Sequence, residues 1–566
     1  MPRPARRYAY HARAAVALAL AIGCPATAAQ TLPGSVQPGR DRPAPDVPSQ
    51  PDFDFRIEAP HRSPVQRAVD QVHFTLRAIH VNGGTVFPES AFSALYQDLI
   101  GKDVTLPDIL DVADKIEKLY RDAGYILVRA YVPPQQVDDG EFTINIVEGK
   151  IANITVRGGF PATQRRVQSY LDDAVNIAPL PLATMERGLL LANDLPGVVA
   201  TGVLTPAQDV AGASDVVVDI VQPRFSGGLG VDNRGSRFSG NWTLAGDVQV
   251  NSLFGDDQLS GSVTMSPDAS KQIAGQLRYR RAIVDDGLIA SAFGTITHGQ
   301  PGSTLKAFEV LTDSWAAGFR LTYPVIRTRR QTLQIDGGFT AQDADVDILG
   351  VGLSHDQWRV IDVSVTYLHN NWLGGAWAAS VDVAQGLPIF GATESRSPGL
   401  SRLGAVTDFT KITGFLRYSA LLGARFSAVL TAQGQFAFNP LITGEQIAFG
   451  GVNIGRGYDP GGITGDHGIG GSAELRYDVG PPGQAVLNLQ PYAFVDGART
   501  WYIQRGAAAD PDLINQYIVS VGGGLRGFFP HDITGSVEVA TTLNPVAGSD
   551  RGRKRTTVFL TAGVRF

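Results

Sequence analysis

Cysteine, methionine and long apolar runs are scarce in this chain, and each scarcity excludes something. Among 566 residues there are one cysteine and three methionines. Cys24 lies in a stretch, 1–28, that reads as a secretory leader. Arg3, Arg6, Arg7 and Arg13 form its positive region, residues 14–23 its apolar core, and Ala26-Thr27-Ala28 a small-residue cleavage site. On that reading the exported protein keeps no cysteine, so no disulfide framework holds it in an oxidising compartment. The other use of Cys24, as a lipoprotein site after Ala21-Ile22-Gly23, has Ala where Leu is usual. The leader carries no acidic residue, and loss of its four arginines moves the formal charge from −6 to −10, which gives no footprint for nucleic acid. Beyond the leader no apolar run approaches the ~18 residues of a spanning helix, so any membrane crossing falls to strands.

Catalytic signatures are missing as well. No zinc-protease helix, phosphate-binding loop or serine-nucleophile turn occurs. The nine histidines are scattered, and Asp466-His467 alone makes no metal site. The expectation is a protein that is no enzyme and needs no cofactor. Gly522 to Gly527 satisfies a dinucleotide fingerprint literally, but no helix follows, and it reads as small residues packing a wall. Asp138-Asp139 and Asp256-Asp257 read as turn residues.

What is abundant is glycine, 65 residues, with charge at only 18%, a balance that suits many short strands and turns. The length calls for several domains. Residues 29–73 are rich in Pro, Gln, Asp and Arg without periodicity and read as an extended linker. Regular structure begins with an alternating strand at 74–81 and a helix at 88–100. A better-marked helix follows, which Thr105 caps, Ile109, Val112, Ile116, Leu119 and Ala123 pattern, and Gly124 ends. Strands at 125–132 and 141–147 complete the unit. The order then repeats, with a strand at 151–157, helices at 162–175 and 182–192, and strands at 198–204 and 215–221. Two tandem copies of a unit of about 75 residues argue for modules, 74–149 and 150–223, rather than for one enzyme domain.

From residue 224 to 566 there is no convincing helix. Sixteen alternating segments start near 225, 241, 257, 271, 287, 314, 331, 357, 376, 409, 426, 468, 487, 517, 533 and 555. An even number of such strands, about ten residues each, predicts a transmembrane β-barrel of sixteen antiparallel strands; a double β-sandwich would also alternate. The twelfth segment places Ile469, Gly471, Ala473, Leu475 and Tyr477 on one face and Ser472, Glu474, Arg476 and Asp478 on the other. Before it lies a glycine-rich loop, about 440–467, predicted to fold into the pore, with Arg456 meeting a partner there. The thirteenth segment supplies that partner. Its apolar set, Leu487, Leu489, Pro491, Ala493 and Val495, must meet lipid, so Tyr492, Phe494, Asp496 and Ala498 face the lumen. Arg456 and Asp496 are therefore expected to form a bidentate charge-assisted pair; ordinary lumenal charges are the bland alternative.

The strand and helix order of each module resembles polypeptide-transport-associated (POTRA) domains. The stretch LYRDAGYILVRAYVPPQQVDDGEFTINIVEGKI is very like the first such domain of two-partner secretion transporters. GVDNRGSRFSGNWTLAGDVQVNSLFGDDQLS resembles that family's opening barrel hairpin. IGRGYDPGG is similar to its loop-six motif, Val or Ile followed by Arg-Gly-Tyr, here with Gly455 between Ile454 and Arg456. The family's Phe-x-Asp-x-Gly appears as Phe494, Asp496 and Ala498, with Gly497 one place early. The resemblance covers roughly 74–566. It implies two periplasmic POTRA domains before an outer-membrane barrel that exports a large secreted partner, haemolysin- or adhesin-like, in unfolded form. It also implies a conformational lock at Arg456, Gly457, Tyr458, Asp496 and Phe494. Client capture would fall on sheet edges near 74–81 and 151–157, and the carboxyl-terminal Phe566 would be recognised by the barrel-assembly machinery. An assembly insertase of the same superfamily, a passive porin or adhesin barrel, and modules that are mere spacers are the competing readings.

Overall fold

Thr105 starts the best-marked helix, Leu106–Asp122, through a capping box: its backbone N–H and its hydroxyl both donate to Asp108 Oδ2 at 2.7 Å. The helix buries Ile109, Val112, Ala113, Ile116 and Tyr120 against a mixed sheet, and Gly124 follows it at φ 92°. The structure, a computed structural model, describes residues 32–40, 55–57, 73–137, 139–207, 212–480, 488–503, 515–546 and 555–566. The leader read at 1–28, with Cys24, and Asp138 lie outside the described residues.

Strand β1 (Phe55–Ile57) precedes the first module, which contains β2 (His73–Thr75), β3 (Ala78–Asn82), β4 (Asp103–Thr105), β5 (Arg129–Tyr131) and β6 (Glu141–Val147). Its main sheet runs β3-β6-β5. The single helix expected over 88–100 is a short helix, Glu89–Ser93, and a 3-10 turn, Gln97–Leu99. Between them Tyr96 turns inward, and its buried hydroxyl donates to Ile79 O at 3.0 Å. Glu148, just after β6, accepts the N–H of Thr85 (2.7 Å), the Thr85 hydroxyl (2.5 Å), the N–H of Val86 (3.3 Å) and the Tyr120 hydroxyl (2.7 Å). One carboxylate thus ties a loop, a helix and a strand end together.

The second module adds β7 (Lys150–Gly158), helices Pro161–Leu171 and Leu182–Asp194, β8 (Val199–Pro206) and β9 (Ala213–Val221). Its sheet runs β1-β8-β9-β7. The first strand comes from within the expected linker, and it pairs parallel to β8. That adds one paired element to the stretch read as an extended linker. Residues 32–40 of that stretch contain a 3-10 turn, Gly34–Val36, and lie against the infolded loop, where a Cβ on Gly34 would sit 2.2 Å from Gly461 O.

The remainder is a closed barrel of sixteen strands in chain order, from Phe225–Asp232 to Thr556–Arg565, which pair with each other to close it. The eighth strand, Val351–Trp372, shows why the segment folds this way. Ile361, Val363 and Val365 are exposed on the outer face, while Asp362, Ser364 and Thr366 are buried on the inner one. Trp372, Trp377 and Tyr418 cluster at the end near the second module, with ring centroids 5.2 and 4.5 Å apart, as an interfacial aromatic girdle requires. The eighth strand starts six residues before the expected position. Its hairpin with the seventh strand, Gln331–Ile348, continues past the lipid-facing alternation into a part where Asp343, Asp345, His355 and Gln357 take the outer-face positions and Asp345 pairs with His355, so the apolar alternation stops before the ladder does.

The second module docks on the near rim of the barrel. Arg327 grips Asp194 at 2.8 and 2.7 Å, and Arg329 meets Glu186 at 3.1 Å. Arg166 reaches Asp256 at 2.6 Å and also Asp285. Asp256, expected as a turn residue, is therefore a docking group, while its neighbour Asp257 does hold the turn by accepting the N–H of Phe254 at 3.0 Å.

Candidate functional site: the infolded loop and the wall it meets

The loop between the eleventh strand, Phe426–Ala437, and the twelfth, His467–Tyr477, turns back into the barrel. A small ribbon, Ile447–Phe449 paired with Ile463–Gly465, carries its tip across the lumen. Ile447, Phe449, Ile454, Tyr458 and Ile463 then pack against Ala498, Ile518 and Val546. The root is fastened separately. Asp466, fully buried, accepts Arg402 Nη1 at 2.6 Å and the N–H groups of Leu441 and Ile503 at 2.9 and 2.8 Å. Glu445 pairs with Lys411 at 2.7 Å and accepts the Trp358 indole N–H at 2.8 Å. Asp466-His467 is thus a structural anchor, and among the described residues no cluster fit for a metal ion occurs.

Gly455, the residue inserted before Arg456, has φ 85°, and a Cβ there would lie 2.4 Å from Ile518 Cδ1. Only glycine lets the chain turn this tightly against the wall. Gly457 makes a similar approach from the other side, where a Cβ would meet Thr542 Cγ2 at 2.9 Å. These two contacts press Arg456 and Tyr458 into the wall. The Tyr458 hydroxyl, fully buried, lies 2.8 Å from Asn544 O and 3.0 Å from Val519 O.

Arg456 is 8% exposed. Its Nη1 lies 2.5 Å from Glu474 Oε2 and 3.7 Å from Glu538 Oε2, its Nη2 donates to Ser472 Oγ at 3.1 Å, and its guanidinium carbon sits 4.0 Å over the Phe494 ring. Asp496 faces the lumen at 2% exposure, against 48% for its neighbour Val495. The pairing itself differs from the expected bidentate one. Arg456 Nε stands 3.5 Å from Asp496 Oδ2 without a hydrogen bond, and it is the Arg456 backbone N–H that reaches Asp496, at 3.4 Å. The Ser520 hydroxyl is the main donor to Asp496. The reason is register: Ser472 faces Asp496 and Glu474 faces Phe494 across the twelfth and thirteenth strands. Glu474 therefore rises beside the ring on which the guanidinium rests and captures it first.

Glu474 is the centre of a network that extends well beyond the five residues expected. It also accepts Arg526 Nη1 at 2.7 Å and Arg476 Nε at 2.6 Å. Arg526 stacks 3.8 Å over Tyr492, whose hydroxyl donates to Glu538 at 2.7 Å, and Glu538 pairs with Arg234 at 3.1 Å. Arg526 belongs to the run that mimics a dinucleotide fingerprint. In that run Gly522 and Gly524 leave room for the Phe494 and Tyr492 rings, which a Cβ would approach to 2.6 and 2.7 Å. The shift of Gly497 disturbs nothing, because the thirteenth strand, Asn488–Trp501, keeps an unbroken register on both sides. Glu474 shares a face with Ser472 and Arg476 in the sequence, so its inward direction was available; its height opposite Phe494 was not.

Chemically this arrangement is a set of charge-assisted hydrogen bonds and cation-ring contacts that fastens the loop tip to the wall. Residues 212–527 match the family described as haemolysin secretion/activation protein ShlB/FhaC/HecB, and residues 74–149 match the ShlB-type POTRA domain. The heme/hemopexin transporter protein HuxB of Haemophilus influenzae (strain 86-028NP) is 25% identical over 476 residues, 81% of each chain. The hemolysin transporter protein HpmB of Proteus mirabilis is 24% identical over 413 residues, 69% of this chain and 70% of that one. The solved structure of CdiB from Escherichia coli shares the fold, with a TM-score of 0.68 at 20% identity over 90% of this chain and 93% of that one. With a sixteen-stranded barrel, two αβ modules at its rim and a family match across most of the barrel, the chain belongs to the haemolysin secretion/activation family, the outer-membrane transporters of two-partner secretion, whose POTRA domains stand in the periplasm.

Proposed function

We propose that the chain recognises one large secreted protein in the periplasm and exports it unfolded through its own barrel, with the infolded loop as gate and Arg456, Gly457, Tyr458, Phe494 and Asp496 within its clasp. The observation that carries this reading is the buried Arg456, held by lumenal carboxylates at the tip of a loop that crosses the pore. A buried ionic set broken on one side costs about 3–5 kcal/mol, so the tip has a defined closed position and leaves it only when something competes for the lumen. Two relatives are named for heme/hemopexin and hemolysin transport, which favours an exoprotein of haemolysin or adhesin type as client. The apolar outer face suits outer-membrane lipid, and Phe566, 73% exposed at the end of the last strand, suits recognition by the barrel-assembly machinery. Folding of the client outside supplies the drive, since the sequence carries no nucleotide-binding motif.

Deleting the chromosomal gene and comparing proteins in the culture medium tests the reading. Loss of one very large protein, restored by a plasmid copy, is expected. A general depletion of barrels from the outer membrane, with the medium unchanged, would instead indicate an insertase.

A further inference from the structure

The loop between the ninth strand, Gly375–Gly386, and the tenth, Thr410–Leu421, leaves the barrel at the end away from the second module. It runs first along the outer face. Leu387 donates its N–H to Arg359 O at 2.8 Å and Thr393 donates its N–H to Gln357 O at 2.8 Å, so 387–393 lies beside the eighth strand. Between these two bonds Pro388, Ile389 and Phe390 are exposed, Phe390 to 77%. Phe390 has φ 49°, a left-handed backbone that bulky residues rarely adopt. Its ring centroid stands 6.2 Å from that of Phe339, which is 6.1 Å from that of Phe319. Phe319, Phe339 and Ile361 form one cross-strand row on the lipid-facing side of the wall. The eleven residues from Ile361 to Trp372 in the girdle near the second module span about 28 Å of height, at about 3.3 Å per residue and a tilt of about 40°. An apolar band is about 25 Å tall, so this row marks its outer edge, and Phe390 adds a ring there.

Arg359 accounts for the turn. It occupies an outer-face position next to that row, yet it is buried: its Nε donates to Phe390 O at 3.1 Å, and its Nη1 to Gln342 O and Asp343 Oδ1 at 2.9 Å. A guanidinium facing hydrocarbon is costly. The turn covers it and presents Ile389 and Phe390 in its place. After Thr393 the same loop crosses the rim to the root of the infolded loop. The Thr443 N–H donates to Ser401 Oγ at 3.1 Å, Arg402 Nη1 donates to Asp466 Oδ1 at 2.6 Å, and the Val406 N–H donates to Pro440 O at 3.0 Å. We propose that 387–406 is a strap whose outer end, Ile389 and Phe390, is seated among the acyl chains of the outer leaflet, and whose inner end holds the root of the infolded loop. Acyl chains are the occupant because the exposed tip continues the belt that already meets them. Movement of the root then pulls two apolar side chains out of lipid, which opposes it. The seat in lipid goes beyond the transport reading; its effect on the loop rests on that reading.

Two experiments on the full chain test this. In the first, Cys24→Ala is combined with Phe390→Cys, with Val363→Cys in the belt, or with Leu349→Cys at the tip of the hairpin between the seventh and eighth strands. Each protein carries a nitroxide on its single cysteine and is placed in phosphatidylcholine vesicles. The label at 390 is expected to collide with oxygen several-fold more often than with a water-soluble nickel chelate, as at 363, with the opposite preference at 349. A label at 390 that behaves like the one at 349 would overturn the seat and mark the tip as a surface for a protein outside. The second is single-channel recording of Phe390→Asp, with heat-modifiable gel migration showing that the barrel is closed. Channel opening is expected to become about fivefold or more frequent, as loss of one buried aromatic anchor predicts, while Leu349→Asp opens as the unchanged chain does. Unchanged opening in Phe390→Asp, with the label at 390 lying in lipid, would overturn the hold on the root. Gene deletion reads the transport function separately, so its failure is distinct from either of these.

Discussion

The loop tip and the rim dock are built from the same groups and behave as opposites. At the dock, Arg327 takes Asp194, Arg329 takes Glu186, and Arg166 bridges Asp256 and Asp285, so the contact is spread along the rim over three arginines that share no carboxylate with one another. At the tip, Glu474 alone answers three arginines, Arg456, Arg476 and Arg526, while Arg456 also lies near Glu538 and Asp496. Contacts with no group in common add their contributions and yield gradually. A shared set is coupled, so its members lose their effect together when the common group goes. A surface meant to stay in place suits the first design; a closure meant to let go as a unit suits the second.

The largest expected effect is at Arg456, the residue that joins the loop tip to this set through Glu474, Ser472, Asp496 and the Phe494 ring. Arg456→Ala removes the contacts to Glu474, Ser472, Asp496 and the Phe494 ring at once, a loss of about 3–5 kcal/mol. The barrel should still assemble, since none of its sixteen ladders involves Arg456. Export should fall more than tenfold, and single-channel recordings in planar bilayers should show a larger, noisier conductance. Normal export and conductance from a correctly inserted variant would remove the distinction between tip and dock.

Next in size is a contrast within the tip. Glu474→Gln is expected to cost about 2–3 kcal/mol, because it strips a charge from three guanidinium groups. Asp496→Asn is expected to cost about 1 kcal/mol, because its main donor is the neutral Ser520 hydroxyl. Conductance should rank Arg456→Ala above Glu474→Gln above Asp496→Asn. A double-mutant cycle should give Arg456 a stronger coupling to Glu474 than to Asp496; the reverse order would restore the pairing read from sequence.

That reversal marks how far the sequence could be read. Alternation of period two tells which face a residue takes, because one face of the wall meets lipid and the other does not. Hence Asp496, Phe494 and Glu474 were all legible as inward, and the sixteen strands were countable. Alternation carries no register, so the height of Glu474 opposite Phe494, and with it the identity of the principal counter-ion, stayed hidden. Composition misled in one place. The prolines of 29–73 suggested an extended linker without periodicity, yet the eight alternating residues between Pro51 and Pro60 contain β1, whose partner lies almost 150 residues away at Val199–Pro206. Docking contacts such as Arg327 with Asp194 lie equally far apart in the chain, and nothing local announces them.

At the dock, Asp194→Ala deletes a bidentate pair, about 2–3 kcal/mol, whereas Glu186→Gln weakens a contact to an arginine that is half exposed, about 1 kcal/mol or less. Hydrogen exchange in the helices Pro161–Leu171 and Leu182–Asp194 should rise clearly in the first variant and little in the second, with conductance unchanged in both. The two losses should add in the double variant. Strong non-additivity would show that the dock is coupled like the tip.

Glu148 supplies the limiting case, a carboxylate satisfied by neutral donors alone. Burial by itself would push its pKa up, but the hydrogen bonds from Thr85, Tyr120 and Val86 outweigh burial and hold it below the ordinary value of 4.5. A folded-state pKa below the unfolded one means that this carboxylate stabilises the first module above about pH 4.5. The contribution is lost as the pH falls through the lowered folded value. Glu148→Gln should therefore speed hydrogen exchange in Leu106–Asp122 at neutral pH by a few-fold, about 1 kcal/mol, and the difference from the unchanged chain should shrink progressively below pH 4.5. With no cation among these partners, added salt should leave the difference nearly as it was, whereas the half-exposed contact between Arg329 and Glu186 should weaken. A difference that persisted at low pH, or that salt removed, would place Glu148 with the ionic sites instead.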